Sequence, residues 1–274
     1  MNGTNTDEVY LFLCFGKSYI DDSLDLVKTL RINNDTREIN IVVLPEDLEY
    51  AFSKRAFNHI LSFNPKKDPL FKLCKNNFEK FCLLPRLRIN TFIQNKFTLI
   101  LDVDILCSYS TNEVWDFLKI QNQTVSMLGS VYNPKWHWGY WKMVCDKIKI
   151  NYYETHGGLF FINNNKDINL FFSYAEEAFI NYDKLGMIRL YQNGAVDEPC
   201  FSYAFSKMNY QPINFGDFPI MTFNLNTTDD IPTKKLTEER QGKIMEDYIP
   251  FIHMFSKNKS PEFISIKEKI LNKQ

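Results

Sequence analysis

The chain is predicted to fold as an α/β domain, with a mixed, mostly parallel central sheet flanked by helices. Two observations carry that prediction. Apolar runs of strand length alternate with helically spaced segments over residues 9–57, as a parallel sheet with crossover helices requires. A third apolar run, Phe97 to Leu101, leads directly into Asp102-Val103-Asp104, two acids where the C-terminal edge of such a sheet gathers ligands. The 274 residues suit a single domain, and no internal repeat or linker divides them.

The elements follow in order. Val9 to Phe15 is a continuous apolar run ending at Gly16, and Tyr19 to Arg31 places Leu24, Val27 and Leu30 at helical spacing, so strand, turn and helix succeed one another. Ile39 to Leu44 is a second buried strand closed by Pro45, and Glu46 to Phe57 a second helix. Asn77 to Ile93 reads as one long helical segment in spite of Pro85, ahead of the strand at Phe97. Thr111 to Ile120 is a helix opened by Ser110 or Thr111, and Thr124 to Leu128 a strand. Leu159 to Ile162 is a buried strand behind Gly157-Gly158, Ile168 to Tyr182 a helix, and Glu198 to Met208 another that leads to a strand near Ile213. A polar loop follows Phe215, and regular pattern returns at Tyr248 to Phe255 and in a C-terminal helix from Glu262.

Composition excludes several classes. A hydrophobic fraction of 45%, with 24 Phe, 14 Tyr and 4 Trp, supplies a large core and sets disorder aside. A formal charge of −1 provides no global basic field, so nucleic acid is not an expected partner and any phosphate must be held locally. The six cysteines are scattered, without the close spacing of a zinc or redox motif, and are expected to be reduced. Val9 to Phe15 is too short for a signal core or a membrane span, so a cytoplasmic protein without a transmembrane segment is expected. The Asn-x-Thr triplets at Asn34 and Asn122 carry no weight in a chain so rich in Asn.

Asp102 and Asp104 are spaced i, i+2, which on a strand projects both carboxylates to one side. Two convergent carboxylates suit Mg²⁺ or Mn²⁺, hard cations that keep positions open for phosphate oxygens. Two acids capping a strand in solvent is the competing reading, and the buried strand before them favours the first.

The segment Phe97-Thr-Leu-Ile-Leu-Asp-Val-Asp104 resembles the D-x-D strand of retaining glycosyltransferases with the GT-A (Rossmann-like) fold, notably the glycogenin and bacterial galactosyltransferase family, the family eight glycosyltransferases. Three further segments agree with that family in order. His156-Gly-Gly-Leu-Phe-Phe-Ile-Asn163 resembles its Gly-led strand beside the donor sugar; Asp197-Glu198 resembles its Asp-Gln pair at the head of a helix, with Glu in place of Gln. His253-Met-Phe-Ser-Lys-Asn-Lys259 is similar to its late H-x-x-G-x-x-K motif, with Ser256 in place of Gly.

The resemblance implies a metal site of Asp102, Asp104 and His253 holding Mn²⁺ (or Mg²⁺), and Lys259 meeting the diphosphate of a UDP-sugar. It implies nucleotide contacts from Phe15, Gly16 and Tyr19, with Val103 between the two acids, and from a basic residue before the D-x-D strand. That residue is Arg86 or Arg88, with Arg86 preferred. Gly157 and Gly158 would let backbone approach the sugar, and Asp197 and Glu198 are the acids placed at the reacting face. The single domain over 1–274 would then divide into a nucleotide-binding half at 1–105, a donor-sugar and acceptor half at 106–250, and a closing segment at 251–274. The expected reaction moves a hexose, glucose or galactose, to a hydroxyl acceptor such as a glycan with retention. Trp136, His137 and Trp138 offer flat faces for sugar stacking or for packing under a loop.

Two other readings use the same residues. Aspartate-nucleophile phosphatases also follow an apolar strand with D-x-D, but near the N-terminus and with different residues after it than Ile105 and Leu106. A carbohydrate-binding protein without catalysis is the other. The sequence does not specify an oligomeric state.

Overall fold

A computed structural model of the protein describes residues 7–130, 141–165, 167–189, 193–214, 220–223, 249–254 and 260–272. The first half alternates as expected: β1 (Glu8–Cys14), α1 (Lys17–Ile32), β2 (Glu38–Val43), α2 (Leu48–Lys54), β3 (His59–Ser62) and, after a run of short turns, β4 (Phe97–Leu101). Then come β5 (Ile105–Cys107), α4 (Asn112–Lys119), β6 (Val125–Ser130), α5 (Trp141–Ile148) and β7 (Glu154–Asn163), with α3 (Leu84–Leu87) lying just ahead of β4. The remainder is α6 (Ile168–Ile180), α7 (Tyr182–Leu185), α8 (Asp197–Met208), β8 (Ile213–Asn214), β9 (Met221–Phe223), β10 (Phe251–His253) and α9 (Pro261–Leu271).

Seven strands form the main sheet in the order β3-β2-β1-β4-β7-β6-β8. All its pairings are parallel except those of β7, which runs against both β4 and β6. The strands are apolar on both faces because both are covered. On one face Tyr10, Phe12, Ile39, Ile41, Leu99 and Phe161 pack with Leu26 and Leu30 of α1 and with Trp115 of α4. On the other, Leu11, Val42, Ile100, Phe160 and Ile162 pack with Phe171 and Phe172 of α6 and Phe201 and Phe205 of α8. Each such side chain contributes roughly 1.5–3 kcal/mol by leaving water.

A second, three-stranded sheet has the order β5-β10-β9. It is backed by α9, whose Phe263, Ile266 and Ile270 cover Leu106, Ile252 and Met254. Ser260 caps α9 by accepting the Phe263 N–H at 3.1 Å, and Pro261 occupies the first turn where its missing N–H costs nothing.

The long helix expected over Asn77–Ile93 is instead three pieces. Glu79–Leu83 is a π-turn, Leu84–Leu87 is α-helical and Ile89–Phe92 is 3₁₀. Pro85 explains the break: it has no N–H to return to Phe81 and its ring crowds that carbonyl, so the chain widens and Leu84 N–H reaches back five residues to Glu79. β3 and β5 have no clear period in the sequence; β3 is half-exposed throughout and β5 is three residues long.

Candidate active site

β4 delivers the two acids to the C-terminal edge of the main sheet, although the strand itself stops at Leu101. Asp102 and Asp104 therefore lie in a turn between β4 and β5, and their convergence comes from that turn rather than from strand alternation. The turn is held at both ends. Asp102 N–H donates to Gly158 O at 3.1 Å, extending the contact with β7, and Asp104 O accepts from Met254 N–H at 3.0 Å.

The same register brings in the histidine. β10 pairs antiparallel with β5 so that His253 faces Ile105, the residue after Asp104. His253 Nε2 lies 3.0 Å from Asp104 Oδ1 and 3.9 Å from Asp102 Oδ2. Its ring is buried, edge-on to His156 with centroids 5.3 Å apart. One ligand atom from each of Asp102, Asp104 and His253 lies within 4.8 Å of the others.

Of the two arginines it is Arg86, in α3, that reaches the cluster. Its Nη2 donates to Asp102 Oδ1, and its Nη1 donates at 2.8 Å both to Asp197 Oδ2 and to Gly157 O. Arg88 points elsewhere, pairing with Asp68 and Glu176. Asp197 opens α8 but does not cap it: the N-cap position is Val196, and the Asp197 carboxylate is turned to Arg86. Glu198 uses Oε1 to accept the Gly157 N–H at 3.1 Å.

Among the described residues acid exceeds base in this cluster, since Asp102 and Asp197 share the Arg86 guanidinium and Asp104 faces the His253 imidazole. Loss of water raises the Asp102 carboxyl, Arg86 opposes the rise, and the Asp104 charge adds to it; the result is a shift up to about 6. For Arg86, burial works against the charge, but the Asp102 and Asp197 carboxylates outweigh it and raise the guanidinium above its ordinary value. Two carboxylates and one imidazole, with acid in excess, fit a divalent cation such as Mn²⁺.

The glycines make room, chiefly for protein. A Cβ at position 157 would lie 2.6 Å from Arg86 Nη1 and 3.1 Å from Asp197 Oδ2; one at 158 would lie 2.7 Å from the His253 ring. Gly16, between β1 and α1, has φ 120°, a conformation that disfavours side chains, and its carbonyl accepts the Tyr19 and Ile20 amides.

A cavity of about 780 Å³ opens beside the acids. Phe15, Ser18, Tyr19, Arg86, Asp102, Val103, Asp104 and Asp197 line it, as do Asp22, Asn77, Phe78, Phe81 and Cys82, none of which the sequence singled out for the site. The only signals for the latter were position, just after β1 or just before Pro85. Tyr19 is 47% exposed, and burial of the rest of its ring raises its phenol, with Cys82 and the Asp22, Asp104 and Asp102 carboxylates adding to the rise. Trp136, His137, Trp138, Ser256 and Lys259 lie outside the described residues.

No family model matches the sequence, and no curated protein sequence matches it. Solved structures do. The galactosyltransferase LgtC in complex with donor and acceptor sugar analogs superposes with a TM-score of 0.62 at 15% identity, covering 96% of this chain and 93% of that one. Mouse xyloside xylosyltransferase 1 in its apo form gives 0.57 at 10% identity over 90% and 97% of the two chains. The bifunctional glycosyltransferase WbbM gives 0.56 at 13% identity, over 100% of this chain and 51% of that one. The chain has the GT-A fold of these glycosyltransferases.

Proposed function

We propose that this protein is a metal-dependent glycosyltransferase that moves a hexose, glucose or galactose, from a UDP-sugar to a hydroxyl acceptor such as a glycan, with retention of anomeric configuration. The observation that carries the reading is the Asp102, Asp104 and His253 cluster beside a cavity that Arg86 and Asp197 also line. The reading draws support from the fold, which the chain shares with solved glycosyltransferases, and from the sequence motifs that fall together at this one edge.

Asp102, Asp104 and His253 would hold the Mn²⁺ (or Mg²⁺). The cation, when bound, supplies positive charge to the donor diphosphate and stabilises UDP as the leaving group. The remaining work belongs to side chains. Phe15 and Tyr19 present aromatic surface for the nucleobase at the end of β1, beside the turn that Gly16 permits. Val103 stands between the two acids on the same wall. Arg86 holds Asp197 and Asp102 in a fixed relation, and Lys259 would add cationic charge at the diphosphate.

Asp197 is assigned to the reacting face. It sits in the first turn of α8, with Oδ2 2.8 Å from Arg86 Nη1. An ionised carboxylate there stabilises positive charge developing on the sugar ring, or attacks the anomeric carbon in a double displacement. Retention follows from the double displacement, or, where Asp197 only stabilises the charge, from same-face attack by an acceptor hydroxyl guided by the departing UDP.

The test is a thermal-shift panel of nucleotide sugars with and without Mn²⁺, followed by donor hydrolysis. The true donor at a hundredfold excess over Kd stabilises by about 2.7 kcal/mol. Mn²⁺-dependent stabilisation by a UDP-sugar, with slow release of its sugar to water, is the expected result. Hydrolysis of phosphomonoesters without any response to UDP-sugars would replace this reading with a phosphatase; binding of free glycans alone would make the protein a lectin.

A further inference from the structure

Pairing between β6 and β7 breaks beside the metal-ligand cluster. Met127 faces Phe160, but the next residue, Leu128, faces His156, so Gly157, Gly158 and Leu159 are left without a β6 partner. On the other side the β4 ladder ends at the Leu101 and Leu159 pair. The Gly157 and Gly158 peptides thus leave both ladders at the point where the site is assembled. Bulges of this kind re-aim the chain, and their polar groups need partners elsewhere.

Those partners are site residues. Gly157 O accepts from Arg86 Nη1 at 2.8 Å, Gly158 O accepts from Asp102 N–H at 3.1 Å, and Gly158 N–H donates to His156 Nδ1 at 3.2 Å. The fourth group, Gly157 N–H, donates to Glu198 Oε1 at 3.1 Å. Glu198 grips the strand a second time through its main chain, whose carbonyl accepts from Thr155 Oγ1 at 2.9 Å. Glu198 therefore clamps β7 on both sides of His156.

We infer that Glu198 is a positioning residue, which acts through the Gly157 N–H to hold the glycine bulge against Arg86 and Asp197, and is not the group that attacks the sugar. The inference rests on the glycosyltransferase reading and deepens it, because it leaves Asp197 as the acid at the reacting face. The Gly157 amide on Oε1 lowers the nucleophilicity of the Glu198 carboxylate, and of the two acids it is Asp197 that lines the cavity. Holding the bulge needs an acceptor oxygen and no charge. A Gln side chain carries the same acceptor on the same stem.

The experiment compares wild type with Glu198→Gln and Glu198→Ala, reading amide exchange at Gly157 and the separate kcat and KM of sugar transfer. Glu198→Gln is expected to keep Gly157 protected and kcat within about threefold, while Glu198→Ala speeds Gly157 exchange and lowers kcat by at least about tenfold with donor KM little changed. Azide added to Glu198→Ala should give no glycosyl azide. Loss of turnover in Glu198→Gln as deep as in Glu198→Ala, or a glycosyl azide product, would overturn the inference, as would unchanged Gly157 exchange in Glu198→Ala. If wild type transfers no sugar from any donor, the proposed function fails, and the exchange data alone decide whether Glu198 holds the bulge.

Discussion

At the edge where β1 and β2 begin, inward acids and bases are matched in a closed network, whereas at the edge where β4 ends acids exceed bases among the described residues. In the first region the fully buried Tyr10 hydroxyl donates to Asp35 at 2.5 Å and accepts from Trp115 Nε1 at 2.9 Å, and Thr111 donates to the same Asp35 carboxylate. Arg37 reaches Asp35 at 3.2 Å and Glu8 at 2.6 Å, and its guanidinium lies 4.9 Å from the Trp115 ring centre. Lys119 takes the other Glu8 oxygen at 2.8 Å. The two inward acids, Glu8 and Asp35, are matched by Arg37 and Lys119, and Lys119 also reaches the exposed Asp116 at 2.9 Å. Burial acts to raise the Glu8 carboxyl, but the bonds from Lys119 and Arg37 outweigh it and leave it lowered. In the second region, among the described residues, Asp102 and Asp197 share one arginine, Asp104 faces the His253 imidazole, and Asp102 is raised. A buried network with every group matched serves the fold, while one left short of positive charge is disposed to take up a cation.

Removing an acid should therefore have opposite consequences in the two regions. The largest effect is expected from Asp104→Ala, which should abolish transfer and Mn²⁺-dependent UDP binding yet leave the melting temperature of the metal-free protein unchanged or higher, since it relieves repulsion with Asp102. Turnover at the wild-type level in that variant would remove the metal assignment. Asp197→Asn comes next. Val196 is the N-cap, so the helix loses no cap, and kcat should fall by at least ~10²-fold with stability nearly unchanged. NMR of the product formed by wild type should show the donor's anomeric configuration; inversion would withdraw the double-displacement and same-face alternatives together.

In the closed network the order reverses. Tyr10→Phe deletes a hydroxyl that serves both Asp35 and Trp115, and should lower stability by about 1–3 kcal/mol while leaving activity per folded molecule intact. Denaturant unfolding together with a donor-hydrolysis rate normalised to folded protein checks both halves. The smallest effect is on pH dependence. Because the folded Asp102 carboxyl is raised from 3.8 to about 6, the metal-free protein binds that proton more tightly than the unfolded chain does. Its stabilising contribution is full below the ordinary carboxylate value and is lost as pH rises through about 6. Mn²⁺ competes with the same proton, so the rise in melting temperature caused by Mn²⁺ should be larger at pH 7.5 than at pH 5, by direct comparison in matched buffers; the pH values are about 1.5 units above and 1 below the shifted value.

Much of the acid-rich region was legible in the sequence and little of the closed network. The acids at the end of an apolar strand, the glycine pair and His253 each announce a local chemistry, and the fold joins them through the β5 and β10 register. Asp35, Tyr10 and Thr111 are far apart in the chain and carry no motif, so their meeting is a product of packing alone. Within the site, helical period could not separate Arg86 from Arg88, because the π-turn ahead of Pro85 changes the phase of the segment. The aromatic residues Phe78 and Phe81 reach the cavity through the same irregular turn. The resemblance puts Asp197 and Glu198 alike at the reacting face, whereas in the structure the one contacts Arg86 and the other the backbone of Gly157.

The central claim is that the acid excess beside β4 is a cation site completed by an imidazole. Pulsed electron paramagnetic resonance of the protein titrated with Mn²⁺ tests it without a donor, an acceptor or turnover. Saturable binding with a ¹⁴N coupling on the bound Mn²⁺, lost in His253→Gln, is the result the geometry predicts. Mn²⁺ that binds weakly without saturation, or that keeps its ¹⁴N coupling in His253→Gln, would contradict it.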